Sequence, residues 1–360
     1  MIELAIEGVA YRRGRLDVEG LSVAFPRSTH TSLAGPPGGG KSSILHLLEG
    51  SLRPRRGRIV AGTRDITHTR PAARPFVHSA STAVSPSRWS VRHALVAAAR
   101  TRRGLDFEDR IAEVRRLAEE WGLTPLLDAR LREISTHERL RARLVQLLLI
   151  RPAVLLAERP FALIGTATGD EDRFWRMLRA DGCTIVHEIS RPEEIGWADR
   201  VVLVEGGAAV DAGNPRQALA DPPTAALGAA LAEASSIPIE ISGTTVRSPI
   251  GEWTADPPPF QGSGTALARP WSFEIAPPDE ESDFLFGIEE ARFLGPRWEL
   301  TGIVTGGGLL RIWVAADERP TKGRLLPIRF DPSSLRLYPG GAPLSLGAPL
   351  DVVPSRRDSR

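Results

Sequence analysis

Residues 35–42 read Gly35-Pro36-Pro37-Gly38-Gly39-Gly40-Lys41-Ser42, a match to the pattern G-x-x-x-x-G-K-[ST]. The spacing has a physical meaning. Glycines let a backbone curl around an anion with its N–H groups turned inward. A helix that starts at about Lys41 offers the positive end of its dipole to the same anion. Lys41 is then expected to reach the β- and γ-phosphates of a nucleotide, and the Ser42 hydroxyl to hold Mg²⁺. Thr31-Ser32-Leu33-Ala34 supplies a strand before the loop, and Ser43 to Leu48 supplies the helix after it. The chain has only two lysines, Lys41 and Lys322. A chance match to the whole pattern is therefore expected only about 0.002 times in a chain of this composition.

Outward from the loop, short apolar runs alternate with helical patterns. Ala153–Ala157 and Val201–Val204 read as buried strands. Ile111, Val114, Leu117, Ala118 and Trp121 recur at helical spacing, as do Leu140, Leu144, Val145, Leu147 and Leu148. Strands that alternate with helices predict an α/β fold, a mainly parallel sheet with helices on its faces. The character changes between residues 222 and 264, which Pro222-Pro223, Pro257-Pro258-Pro259 and Gly262-Ser263-Gly264 punctuate. Beyond them, Phe284–Ile288, Trp298–Val304, Leu309–Val314 and Leu325–Phe330 read as strands with no long helix between. They predict a small all-β domain, a barrel of OB-like form. The expected division is a nucleotide-binding domain over residues 1–235 and a β-rich domain over 236–360. Ser355–Arg360 reads as a frayed tail.

The rest of the composition excludes more than it proposes. The 360 residues suffice for two cores. No run of about 18 apolar residues occurs, so no membrane-spanning helix is expected. The start, Met1-Ile2-Glu3-Leu4, lacks the basic and apolar segments of a secretory signal. One cysteine, Cys183, rules out an intrachain disulfide. The formal charge of +2 gives no general field for nucleic acid, and none is expected as a partner. The arginine cluster Arg53, Arg55, Arg56 and Arg58 reads as a solvated loop.

Several segments together resemble the ATP-binding subunits of ABC transporters. Gly40-Lys41-Ser42-Ser43-Ile44-Leu45 continues into Glu49-Gly50, Arg53-Pro54 and Gly57-Arg58-Ile59 as in that family. Ala198-Asp199-Arg200-Val201-Val202 and Gly213-Asn214-Pro215 resemble its late strand and turn. The β-rich tail, closest at Phe293-Leu294-Gly295 and Phe330-Asp331-Pro332, resembles the regulatory domain of sugar, iron and polyamine importer ATPases related to the maltose type. The resemblance implies ATP and Mg²⁺ as cofactors. It implies a second ABC ATPase subunit, identical or different, and a transmembrane permease as partners. The place implied is the cytoplasm, peripheral at the inner face of the cell membrane. ATP would be held by Gly35, Pro36, Pro37, Gly38, Gly39, Gly40, Lys41, Ser42 and Ser43, and Mg²⁺ by Ser42 and Glu158.

Other motifs that the resemblance leads one to expect are altered. The position of the adenine-stacking aromatic is Arg13, with Tyr11 close by; an arginine plane still stacks on a base. The Q-loop glutamine becomes Ser81, which is too short to span the same distance. The signature L-S-G-G-Q becomes Ile134-Ser135-Thr136-His137-Glu138, without either glycine, and Ser135-x-x-Glu138 reads as a capping box. The second acidic motif, which follows a strand, becomes Glu158-Arg159 after Val154–Ala157, so an arginine occupies the general-base position. Arginine stays protonated near neutral pH and cannot take a proton from water. The D-loop aspartate falls at Gly165. The switch histidine falls near Ser190, with His187 three residues earlier inside the predicted strand.

Three functions are consistent with these residues. The chain is a transporter subunit that binds Mg-ATP with impaired or absent hydrolysis. Alternatively it is an ATP-sensing regulator or scaffold outside transport. As a third reading it is an active transport ATPase with a substitute base, for which Glu158 and Glu188 are the nearby acids.

Overall fold

The computed structural model describes residues 2–79, 85–102, 104, 106–161, 169–232, 234–277, 280–340 and 354–355. They fall into two compact units, residues 1–33 with 38–211, and residues 34–37 with 212–360. Among the described residues no helix is long and apolar enough to cross a membrane.

In the first unit the elements follow in the order β1 (Leu4–Arg13), β2 (Leu16–Phe25), β3 (His30–Ala34), α1 (Lys41–Glu49), β4 (Arg56–Ala61), β5 (Arg64–Asp65), β6 (Phe76–His78), α2 (Val91–Arg100), α3 (Phe107–Glu120), α4 (Thr136–Ile150), β7 (Val154–Glu158), α5 (Asp170–Ala180), β8 (Thr184–Glu188), β9 (Arg200–Glu205) and β10 (Ala208–Asp211). Two sheets result, of orders β2-β1-β4-β5 and β10-β9-β3-β8-β7-β6. In the larger one β3, β8, β7 and β6 run parallel. Their C-terminal ends therefore lie along one edge, where α/β sheets bind ligands.

Strand alternation sorts the side chains of the larger sheet. Leu155, Ala157 and Ile185 join a core with α2–α5, in which Phe161, Phe174 and Trp175 are fully buried. Val154, Leu156 and Val186 point to the other face and pack with Ile44, Leu45, Leu47 and Leu48 of α1 and with Tyr11 and Phe25. Caps start the helices: Ser90 accepts from His93 N–H, Asp106 from Asp109 N–H, and Ser135 from Glu138 N–H. The antiparallel sheet built on β1 and β2 was not read from the sequence. Two register shifts along β1 break the even alternation by which a strand announces itself.

The second unit begins with α6 (Pro215–Ala220) and α7 (Ala225–Ala232). It continues with β11 (Ser235–Ser242), β12 (Thr245–Ser248), β13 (Gly251–Ala255), β14 (Gly262–Ala268), β15 (Phe273–Ile275), β16 (Phe284–Phe293), β17 (Arg297–Val304), β18 (Leu309–Ala315), β19 (Leu325–Phe330), β20 (Arg336–Pro339) and β21 (Pro354–Ser355). These strands form antiparallel sheets of orders β20-β14-β11-β12-β13-β21 and β15-β19-β16-β17-β18. Ile237, Ile239 and Ile241 of β11 alternate inward and meet Trp253, Phe286, Leu300, Ile312 and Ile328 in a single core. Arg311 N–H on β18 donates to Ser235 Oγ on β11 at 2.9 Å and ties one sheet to the other. The proline- and glycine-punctuated stretch 222–264 carries β11, β12 and β13 and the start of β14, because its prolines cluster mainly between strands.

Candidate functional site

The loop after β3 is shaped by glycines in the left-handed region, with φ of 140° at Gly35, 77° at Gly38 and 113° at Gly40. Gly40 caps α1, and its carbonyl accepts from Ile44 N–H at 3.2 Å. A Cβ on Gly40 would lie 3.3 Å from both Gly207 Cα and the Tyr11 hydroxyl. Gly207 N–H donates to the Gly39 carbonyl at 2.9 Å and clamps the loop from the β9–β10 turn. Tyr11 is fully buried beneath this loop, and burial raises its pKa against the opposing pull of the Ser43 hydroxyl and Arg13. It therefore supports the backbone under the phosphate position and presents no face to an adenine. Arg13 stands exposed at the end of β1.

Lys41 and Ser42 open the helix beside the C-terminal ends of β7 and β8. The Ser42 hydroxyl donates to Glu188 Oε2 at 2.8 Å. Burial lowers the Lys41 pKa, the charge of Arg159 lowers it further, and Glu188 opposes both. Glu158 and Glu188 are register partners at the ends of neighbouring parallel strands. By alternation from Val154, Leu156 and Val186, both carboxylates project to the α1 face. Glu158 Oε2 lies 3.5 Å from His78 Nε2, and His78 Nδ1 lies 3.0 Å from Glu49 Oε1. Arg159 is exposed and has φ of 39°, a conformation that costs a non-glycine residue about 1–3 kcal/mol.

The remaining expected site residues lie apart from this group. His187 alternates to the opposite face of β8, is fully buried, and sits 3.4 Å from Glu194 with the rings of His30, Trp175 and Trp197 around it. Ser190 is exposed, and its N–H donates to Glu194 Oε2 at 2.8 Å. Ser81 and Gly165 lie outside the described residues. At residues 134–138 the capping box forms in full. Glu138 Oε2 accepts from Ser135 N–H at 2.8 Å, and the Ser135 hydroxyl beside it lowers the Glu138 pKa.

The site suits a polyphosphate and a hard cation. Lys41 opens a helix and feels the charge of Arg159, and positive charge at a helix N-terminus is what a triphosphate needs. A hydroxyl and two carboxylates, Ser42, Glu158 and Glu188, are the oxygen donors that Mg²⁺ prefers. Sequence reasoning missed His78, which adjoins Glu158, and Glu49 on the other side of that ring. No local pattern marks them, since the three are brought together from α1, β6 and β7. It also missed the role of Arg74, whose guanidinium is bound by main-chain carbonyls rather than by an acid.

Residues 18–162 match the family model described as ABC transporter. The chain is 28% identical over 288 residues to a sulfate/thiosulfate import ATP-binding protein of Caulobacter vibrioides, which covers 78% of this chain and 83% of that one. It is 32% identical over 221 residues to a molybdenum import ATP-binding protein of Rhodopseudomonas palustris, over 58% of each. It is 26% identical over 224 residues to a molybdate/tungstate import ATP-binding protein of Pyrococcus horikoshii, over 61% of this chain and 64% of that one. The chain thus spans less than two thirds of the length of the last two. In fold it is similar to a nucleotide-free ATP-binding cassette from an ABC transporter, with a TM-score of 0.51 at 20% identity, over 62% of this chain and 96% of that one. With a phosphate loop that follows β3 and opens α1, and with these relatives, the stretch 18–162 is that of an ABC-transporter ATP-binding domain.

Proposed function

We propose that the chain is the ATP-binding subunit of an ABC import system, that it binds Mg-ATP, and that it hydrolyses ATP very slowly. The observation that carries this reading is the grouping of Lys41, Ser42 and Glu188 at the phosphate loop with Arg159 beside them. The loop amides from Gly38 to Ser43 and Lys41 bind the phosphates, and Gly35, Pro36 and Pro37 shape the approach. Ser42 and the carboxylates at the ends of β7 and β8 hold Mg²⁺, which when bound neutralises phosphate charge. Arg13 covers the adenine. An arginine does not take a proton from water, so Arg159 retains the γ-phosphate electrostatically and does not activate water. A missing general base typically slows a reaction by about 10²–10⁴-fold.

Import is supported by the relatives named above, which are import ATP-binding proteins, and the solute is chosen by other subunits. On this reading the partners are a second ATPase subunit and a permease at the inner membrane face. Residues 1–235 bind nucleotide and 236–360 regulate. A second reading, an ATP-sensing regulator outside transport, is favoured by the capping box at Ser135–Glu138. There Glu138 brings a carboxylate where a partner's γ-phosphate would lie, and neither glycine remains for close backbone approach.

Calorimetric titration with Mg-ATP, followed by analysis of the bound nucleotide, tests the proposal. Bound and intact ATP is expected, and Lys41→Ala should abolish the binding heat. No binding by the unaltered chain would overturn the proposal. Cleavage at the rate of an intact ATPase would instead make Glu158 or Glu188 a base. Co-purification with a permease separates the transport reading from the regulator.

A further inference from the structure

The two carboxylates at the sheet edge are held differently. Glu188 is 6% exposed, accepts from the Ser42 hydroxyl at 2.8 Å, and lies close enough to Lys41 to stabilise its charge. Glu158 has His78 Nε2 3.5 Å from its carboxylate, and the other nitrogen of that buried ring faces Glu49 at 3.0 Å. Ser42 thus works with the acid of β8, although the acid of β7 lies level with it in register.

We propose that Glu188, rather than Glu158, makes nucleotide binding at this loop depend on a divalent cation. The inference rests on the ATP-binding reading above. A buried carboxylate beside the phosphate position repels a triphosphate, and low polarity around it strengthens the repulsion. It also competes with the phosphates for Lys41 and for the Ser42 hydroxyl. A hard divalent cation reverses the sign of this contact, because Glu188 and Ser42 then become oxygen ligands, directly or through water. Lys41 is released to the phosphates at the same moment. Glu158 faces a histidine and feels less of this exchange.

The test is calorimetric titration of the full chain with ATP, in excess Mg²⁺ and again in EDTA. The unaltered chain should bind at least about tenfold more tightly with Mg²⁺. Glu188→Gln should bind ATP in EDTA about tenfold more tightly than the unaltered chain and lose most of the Mg²⁺ enhancement. Glu188→Ala should shift the ratio in the same direction. Glu158→Gln, which also removes a carboxylate from the cation, should lower the ratio less than either Glu188 variant does. An unaltered ratio in both Glu188 variants, or a ratio lost only in Glu158→Gln, would overturn the assignment of the acid. Absence of ATP binding by the unaltered chain in both media would instead overturn the ATP-binding reading, and the inference with it.

Discussion

Arg159 is where a single residue says most about what the site does. It follows Glu158 at the end of β7, takes a left-handed backbone conformation, and places a fixed positive charge near Lys41. Its identity was legible from the sequence because the run Val154–Glu158 marks the strand end. Replacing it by an acid tests its role directly. Arg159→Glu should raise the single-turnover rate of ATP cleavage by about 10²–10⁴-fold, the range for a positioned base. An unchanged rate would show that more than the base is missing. The bond from Ser42 to Glu188 was not legible in the same way. The two residues are 146 positions apart, and the parallel pairing of β3 and β8, in which Leu33 stands opposite Glu188, brings this acid to the loop.

Among the elements, α1 shows how much of a site depends on its support. Arg74 is buried below the C-terminal end of α1. Its guanidinium donates to Leu47 O at 2.8 Å, Ile66 O at 2.8 Å, Thr69 O at 3.0 Å and Thr67 O at 3.2 Å, and also to Leu48 O. Two of these are helix-end carbonyls that have no partner within the helix. Burial pulls the Arg74 pKa down to about 10, with Glu49 opposing. Arg74→Ala should cost about 3 kcal/mol of stability in denaturant unfolding, because it strands several buried carbonyls at once. Gly50 leaves the room, since a Cβ there would come within 2.7 Å of the Arg74 guanidinium. The sequence did not disclose this, because carbonyls are common to every residue type. By contrast the capping box of α4 was legible, since Ser135 and Glu138 are only three residues apart and need nothing beyond their own helix.

At the scale of the whole molecule, each unit has its own core, and the two respond to different perturbations. Phe286 is fully buried in the second unit. Phe286→Ala should destabilise that unit by about 3–5 kcal/mol and lower its unfolding temperature. ATP affinity measured by calorimetry should be unaltered. The first unit carries an acid sensitivity at His30, fully buried on β3. Burial above all, then the charges of His187 and Arg179, push its pKa well below the ordinary value of 6.5, against the weaker pull of the nearby Trp197 backbone. Below about pH 6.5 the unfolded chain takes up a proton that the folded chain refuses, so stability falls with pH at up to about 1.4 kcal/mol per unit. Urea melts at pH 7.5 and 5.5 should show the loss, and His30→Phe should reduce it.

Local structure was within reach of the sequence by itself: the glycine-rich turn with its rare lysine, the helix it opens, and the strand that ends at Glu158 before Arg159. These depend on neighbours a few residues apart, whose geometry the backbone dictates. Which acid meets Ser42, that His187 turns from the loop, and that Tyr11 lies under it were decided only by tertiary structure. Alternation assigns a side chain to a face, but the packing of sheets and helices decides what that face meets.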